Sequence, residues 1–477
     1  MKHFNLKRHF HVVIFCTMLA IFLFTGMPAF AQNNVPRNTP AAQPVVAQTP
    51  ASPQFSPASI PAKTRLMEET LPNGFRIIIQ ERPGTGIVGT ELLVKVGLMQ
   101  EMEMYAGITS LIQSLLLTSK TAASPKTFQE AAESDGCLLH SSASPDYAVL
   151  NMVATPDIFR NNLKRLASTI KTPDFEQKAL DEQKEEQTYN IEGNKSAFQM
   201  INEIFLNQFY RYHPYRQPVY GFKNTVNRMK IEEIQKFYNE NYSANRMTLA
   251  IVGDVNAPET MDLCKKIFAD LPRQKNQTVD IPWEPVGAEK KLYLETNSEL
   301  AWVFVGFPAP DIKSPDYPKM KVLETLLGDG LSSRLFIELR EKEGLAYELS
   351  STYPQLEGPS HMILYIVTNG KGLSKSRKKM FDEINKLKKW KISQEELDAT
   401  KRKLLGKYLL DNETASSQAH NLAYYTALGL GHNFNEVLLR RMQDVTVDDV
   451  QNMARKYFEN YTVLEIQPSQ DPEMFAR

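Results

Sequence analysis

Leu92-Leu93-Val94-Lys95-Val96-Gly97 returns 209 residues later as Ala301-Trp302-Val303-Phe304-Val305-Gly306. In both copies a run of large apolar residues closes on a glycine, the pattern of a strand that ends there. A second pair stands toward the end of each copy: Ile231-Glu232-Glu233-Ile234-Gln235 and Val447-Asp448-Asp449-Val450-Gln451, 216 residues apart. From each, a short helix leads through Tyr/Phe-rich residues and an Asn into a strand, Met247 to Val252 in one copy and Thr462 to Ile466 in the other. Weak identity in a constant order over so long a period means two related halves.

Between these landmarks each half reads as strands first, then an amphipathic helix, further strands and several long helices. Phe75 to Gln80 and Glu91 to Val96 are predicted strands from their β-branched content, and Tyr147 to Val153 alternates as a half-buried strand does. Residues 126–135, 175–192, 196–211 and 376–389 have helical spacing. The expected class is α+β, with helices on one face of a largely antiparallel sheet in each half. The stretch 275–289, with Pro282, Pro285 and few periodic apolar residues, is the expected linker. It separates an N-terminal domain at 64–274 from a C-terminal domain at 290–470, each about 200 residues, a usual domain size.

Before the first half, Lys2, Lys7 and Arg8 precede the apolar run Val12 to Phe24 and then Ala29-Phe30-Ala31. That is the order of regions in a secretory signal peptide, cleaved after Ala31. The apolar run is shorter than the roughly 20 residues that span a bilayer. Residues 32–63, rich in Pro, Ala, Gln, Asn and Thr, have little to bury and are read as a disordered tether. Removing 1–31 takes away three basic residues and no acidic one, so a formally neutral chain becomes one of charge −3. Nothing in that balance suggests nucleic acid. Only Cys137 and Cys264 remain, which excludes a disulfide scaffold and leaves at most one optional bridge.

The segment with the most chemical information is Gly107-Ile108-Thr109-Ser110-Leu111-Ile112-Gln113-Ser114-Leu115-Leu116, an amphipathic helix that follows a Val-Gly strand end. With the repeat, Leu71-Pro72-Asn73-Gly74, His213-Pro214-Tyr215 followed by Gly221, and Ile251-Val252-Gly253-Asp254-Val255, it resembles the pitrilysin/insulinase family of zinc peptidases, the inverted H-x-x-E-H group. In the second half the resemblance is carried by Leu326 to Leu335 and by the run from Leu339 to Tyr347, Leu-Arg-Glu-Lys-Glu-Gly-Leu-Ala-Tyr. In active members two His at i and i+4 bind Zn²⁺, the Glu between them is the general base, and a Glu about 75–80 residues later completes the metal site. The His positions fall here on Ser110 and Ser114 and the Glu position on Gln113. A serine would have to ionise to bind zinc, and an amide takes up no proton as a base does. The third ligand would fall near Gln187 to Tyr189, beside Glu185 and Glu186, which alone hold no metal. The resemblance therefore implies a non-catalytic member with no metal of its own.

Other sites are read as structural. No two of His140, His213, His361, His420 and His432 are spaced i, i+4. His213 belongs to a His-Pro-Tyr turn, and His140 lies where the family's substrate-pairing edge strand would run. Ser110 and Ser114 have no local His or Asp partner and no nucleophile elbow, so they are read as a polar helix face. Gly328-Asp329-Gly330 lacks the Lys and spacing of a phosphate loop and is read as a helix-capping turn. The basic stretch Lys371 to Lys391 is read as a solvated helix face.

There remain Arg340 and Tyr347, seven residues apart. In the family such a pair reaches over the cleft to a zinc site carried elsewhere, where a guanidinium fork and a phenol suit a developing oxyanion. The competing structural reading makes Arg340 a surface ion pair with Glu338, Glu341 or Glu343, and Tyr347 a core residue. The resemblance further implies a clam shell of two αβ domains and pairing of two chains, in some cases a zinc-bearing subunit with a zinc-less one that supplies the Arg/Tyr pair. The expectation is accordingly a zinc-less, substrate-holding subunit of an exported metallopeptidase, periplasmic by preference, binding peptide and no nucleic acid. Zinc would belong to the homologous partner; a homodimer is the other arrangement weighed. The alternatives are a peptide-binding scaffold with no part in hydrolysis and a self-sufficient zinc endopeptidase.

Overall fold

The computed structural model describes residues 65–121, 124–193, 195–275 and 290–469. The signal reading of 1–31, the tether 32–63 and all but the first residue of the linker 275–289 lie outside the described residues. Among the described residues no helix is long and apolar enough to cross a membrane.

The first half opens with strands β1 (Leu66–Thr70), β2 (Arg76–Glu81) and β3 (Val88–Val94) and helix α1 (Ile108–Thr118). A small hairpin, β4 (Lys120–Thr121) and β5 (Ser124–Thr127), leads to α2 (Phe128–Ser134), then β6 (Leu138–Ala143) and β7 (Ala148–Ala154). Helices α3 (Pro156–Lys171), α4 (Gln177–Glu192), α5 (Ala197–Phe209), α6 (Lys223–Arg228) and α7 (Ile231–Asn241) follow, then β8 (Met247–Gly253) and α8 (Ala257–Phe268). The second half repeats the plan with β9 (Lys290–Thr296), β10 (Leu300–Ala309), α9 (Tyr317–Gly328), a π-helical turn at Phe336–Lys342, β11 (Glu348–Thr352) and β12 (Ser360–Asn369). It ends with α10 (Leu373–Lys389), α11 (Gln394–Asp411), α12 (Ala415–Ala427), α13 (Phe434–Gln443), α14 (Val447–Tyr457) and β13 (Thr462–Pro468).

The repeated sequence pairs are repeated structure. The sheets run β1-β2-β8-β3-β7-β6 and, in equivalent order, β9-β13-β10-β12-β11. In each the central strand is antiparallel to both neighbours, Leu92 opposite Leu249 and Leu150, Phe304 opposite Leu464 and Tyr365. In each the last strand of the half runs parallel to an early one, β2 with β8 and β9 with β13. α9 begins 209 residues after α1, at the period of the strands. Local chemistry starts these helices: Thr127 with Glu130, Ser196 with Gln199 and Thr446 with Asp449 form capping boxes.

Two expectations need correction. β3 ends at Val94 rather than Val96, because a tight turn takes the Val96 N–H to the Val94 carbonyl at 2.8 Å while Lys95 N–H bonds the Arg246 carbonyl. And helices cover both faces of each sheet. Ile77, Ile79, Leu92 and Val94 pack under the first half's own helices, whereas Ile78 and Leu93, on the opposite face, join the core of the second half. The covering element there is α12, which crosses over to lie on β3 and β8. In return α5 of the first half places Ile201, Phe205 and Phe209 on Trp302, Phe304 and Tyr365 of the second sheet. Three consecutive isoleucines in β2, and the unbroken apolar run of β10, are what a strand buried on both faces requires. The contact is close enough to need glycine: a Cβ on Gly89 would stand 2.5 Å from the Ala415 carbonyl carbon, and one on Gly306 2.4 Å from the Phe205 ring.

Candidate functional site: a former metal helix and an exposed Arg/Tyr pair

α1 is set by the loop that follows β3. The Glu101 carboxylate, buried, accepts from the Gly107 N–H at 2.9 Å and the Thr109 N–H at 3.0 Å, so it satisfies amides at the start of the helix. Burial raises its pKa above the ordinary carboxylate value in spite of these bonds. On the helix so anchored, Ser110 and Gln113 are buried and Ser114 is half-buried. The Gln113 amide donates to the Tyr242 hydroxyl at 2.8 Å, and its backbone carbonyl accepts from the Ser141 hydroxyl of β6 at 3.0 Å.

α4, which carries the stretch expected to hold the third ligand, lies against α1. Glu185 and Glu186 are exposed, while Gln187 turns inward with 4% of its surface accessible. Its side-chain N–H₂ donates to the carbonyls of Gly107 at 3.0 Å and Tyr220 at 2.8 Å. The side-chain amides of Gln113 and Gln187 both act here as hydrogen-bond donors. Zinc needs deprotonated or lone-pair donors directed at a single point, which this set does not fit. Among the described residues no three His, Cys, Asp or Glu side chains come together as a metal group would require.

The second-half pair is brought together. Arg340, on the π-helical turn, donates its guanidinium to the Tyr347 carbonyl and lies 5.4 Å from the Phe336 ring centre. Tyr347 is 59% exposed, so it is not a core residue. The neighbouring acids are taken by lysines: Glu338 by Lys342 and Lys379, Glu343 by Lys375 and Lys379, which hold the Glu343 carboxyl down to about 2. Arg340 is thus a cation held in place without an acidic partner among the described residues.

Three of the histidines singled out in the sequence have plain surroundings. His213 is buried and accepts the Tyr215 N–H at 3.2 Å, ordering its turn. His361 is buried beside the Tyr210 hydroxyl, 2.8 Å away, and burial pushes its pKa down to about 3. His140 lies exposed on β6. Cys137 and Cys264 are both buried and free, so the optional bridge does not form. Gly328 ends α9, and Asp329 beyond it pairs with Lys407 at 2.8 Å.

Sequence reading missed a buried polar joint between the halves. Asp146 accepts the Tyr215 hydroxyl and, from the second half, the Glu357 N–H at 2.7 Å; the Gly358 N–H reaches the Tyr215 oxygen at 3.0 Å. Glu91 of β3, 1% exposed, is held by Asn151 and by His420 of α12 at 2.7 and 2.9 Å. One acid in each apolar or turn segment gives no motif; only their pairing across the chain marks them.

An α+β protein of two equivalent halves, with a metal helix rebuilt from serine and glutamine, defines a class of peptidase homologue without the peptidase's metal. Residues 76–223 match the family described as Insulinase (Peptidase family M16), and residues 228–404 match the Peptidase M16 inactive domain. The chain belongs to that family, as an insulinase-like protein of the non-catalytic kind. It is 27% identical over 405 residues to the zinc protease PqqE of Helicobacter pylori, covering 82% of this chain and 90% of that one. It is 26% identical over 305 residues to the non-peptidase homolog YmxG of the same organism, over 62% and 69% of the two chains. A protease structure from Helicobacter pylori shares the fold at TM-score 0.78 and 24% identity, over 85% of this chain and all of the other. A peptidase M16 inactive domain from Pseudomonas fluorescens does so at TM-score 0.78 and 20% identity, over 86% of this chain and all of the other.

Proposed function

We propose that this protein is the zinc-less subunit of an exported insulinase-like metallopeptidase, in which it helps to hold the peptide while a homologous partner supplies zinc. The observation that carries the reading is the Arg340/Tyr347 pair: both are exposed, and the Arg340 guanidinium is bonded to the Tyr347 main-chain carbonyl and to no carboxylate among the described residues. A guanidinium fork and a phenol both suit a peptide carbonyl that gains negative charge. The order of charged, apolar and small residues in 1–31 supports export, with the periplasm as the compartment.

Affinity purification of the tagged chain from its native cell tests this. The expected result is a homologue with stoichiometric zinc, and a complex whose peptide hydrolysis falls about tenfold or more when Arg340 becomes Ala. Full activity in that variant would remove the assigned role. A second reading, a peptide-holding scaffold with no hydrolysis, is favoured by the open edge of β6 beside α1. Recovery of the chain alone, binding peptides without cleaving them, would select it.

A further inference from the structure

Between α5 and the loop that follows the His213-Pro214-Tyr215 turn, on the side of the first half, and Thr352, Leu356 and His361 of the second lies a cavity of about 460 Å³. That is within the usual span of ligand pockets, about 300–1,000 Å³. Thr352 is the last residue of β11, an edge strand that Tyr347 immediately precedes. The five residues of β11, roughly 17 Å of strand, thus lead from the Arg340/Tyr347 pair to this cavity.

The walls present no free charge. Lys195 and Glu203 are the charged side chains among the described lining residues, and they meet each other at 2.6 Å, with the lysine almost wholly covered. His361 is buried beside the Tyr210 hydroxyl and stays neutral, since burial pushes its pKa down to about 3. The Tyr215 hydroxyl is committed to Asp146 and to the Gly358 N–H. An ionised ligand group would lose its water here and gain no counter-charge.

The uncommitted polar groups are two carboxamides. Neither end of the Asn202 side chain on α5, nor of the Gln217 side chain in the loop, makes a hydrogen bond among the described residues, and the oxygen of each is shut off from solvent. A half-turn of either amide exchanges its N–H₂ for its oxygen with no partner lost, so the pair can present donors, acceptors or one of each. Leu98, Phe198 and Leu356 make the wall around them apolar. The group that matches such a site is neutral, has two N–H donors and an acceptor on one planar head, and arrives on a short apolar stem.

We propose that this cavity takes a primary carboxamide, the side chain of a glutamine or asparagine in a peptide held at the Arg340/Tyr347 pair. The proposal rests on the peptide-holding reading above. It assigns the choice of side chain to Asn202 and Gln217, residues outside both the former metal helix and the Arg340/Tyr347 pair.

The test titrates the purified full chain with fluorescent Ser/Ala/Val peptides that carry a single Gln, Glu or Leu at each position in turn, and with N-acetyl-glutamine methylamide alone. At one or more positions the Gln peptide should bind about tenfold more tightly than both the Glu and the Leu peptide. Asn202→Leu and Gln217→Met put apolar side chains of similar size in place of unmatched amides, so both variants should withstand urea at least as well as wild type. Each should remove most of the preference for Gln. Equal binding of the three peptides at every position, or a preference that survives both substitutions, overturns the pocket and leaves the peptide-holding reading standing. Loss of stability in both variants would show the amides committed to the fold, and overturns the pocket as well. If no peptide binds while the glutamine amide does, and Asn202→Leu abolishes that binding, the pocket stands as a site for a small amide and the peptide-holding reading falls. If neither probe binds, both fall.

Discussion

Gln187 donates its side-chain amide to the main-chain carbonyl of Gly107 across 3.0 Å, joining α4 to the start of α1. The same nitrogen also reaches Tyr220. Gln187→Glu would set an anion against two carbonyl oxygens, whereas Gln187→Ala only removes the donor. Urea unfolding at pH 7 should show a loss of about 1–3 kcal/mol for the alanine variant and a larger loss for the glutamate. A glutamate variant as stable as wild type would mean that the amide bonds do not shape this site.

Asp146 is pushed up to about 6 by burial, which outweighs its bonds from Tyr215 and the Glu357 N–H and the attraction of Lys95. The folded carboxyl keeps its proton at a pH where the unfolded chain has lost it. Stability from this group is therefore complete below about pH 4 and is lost as the pH rises through 6, by about 3 kcal/mol at most. Unfolding free energies of wild type and Asp146→Asn, measured from pH 4 to 7, should differ by an amount that shifts in the wild type's favour toward acid. A difference constant over that range would contradict the buried joint.

Gly89→Ala and Gly306→Ala test the two helix crossings separately. At Gly89 the new methyl meets the backbone of α12, which has no soft atom to yield; at Gly306 it meets the edge of the Phe205 ring. Both should destabilise through overpacking, by about 1–3 kcal/mol. Gly89→Ala should stand at the upper end and Gly306→Ala should be partly rescued by Phe205→Leu. No rescue would place the strain elsewhere.

Burial raises the thiol of Cys137 to about 11 and that of Cys264 to about 12. Neither should react with a disulfide reagent at pH 8 in the native protein, since the thiolate is the nucleophile. Both should react at once in denaturant. Rapid labelling of the folded chain would show that one of these segments opens.

Much of the fold is legible because a repeat carries order as well as composition. The pairs at Leu92/Ala301 and Ile231/Val447 locate the central strands and the helix before the last strand of each half, and β8 and β13 fall where the sequence puts them. The crossing of α5 and α12 was not legible. Periodicity shows that Phe205 and Ala419 face something apolar, but not that it belongs to the other half. The continuous burial of Ile77, Ile78 and Ile79 was the available signal, since a strand with helices on one face alternates. At the site, Ser110, Gln113 and Ser114 were readable from spacing, while Gln187 became distinct from exposed Glu185 and Glu186 only through the rotation of α4.

The crossed helices also fix an order of events during synthesis. Gly89 lies against Ala415, and Arg76 bonds the carbonyl of Thr426, 350 positions away. A ribosome makes roughly 5–20 residues per second, so the first sheet waits on the order of tens of seconds for its second cover. Through that interval Ile78 and Leu93 form a greasy, unroofed surface that must be shielded or kept from folding. High contact order of this kind slows folding and exposes intermediates to aggregation.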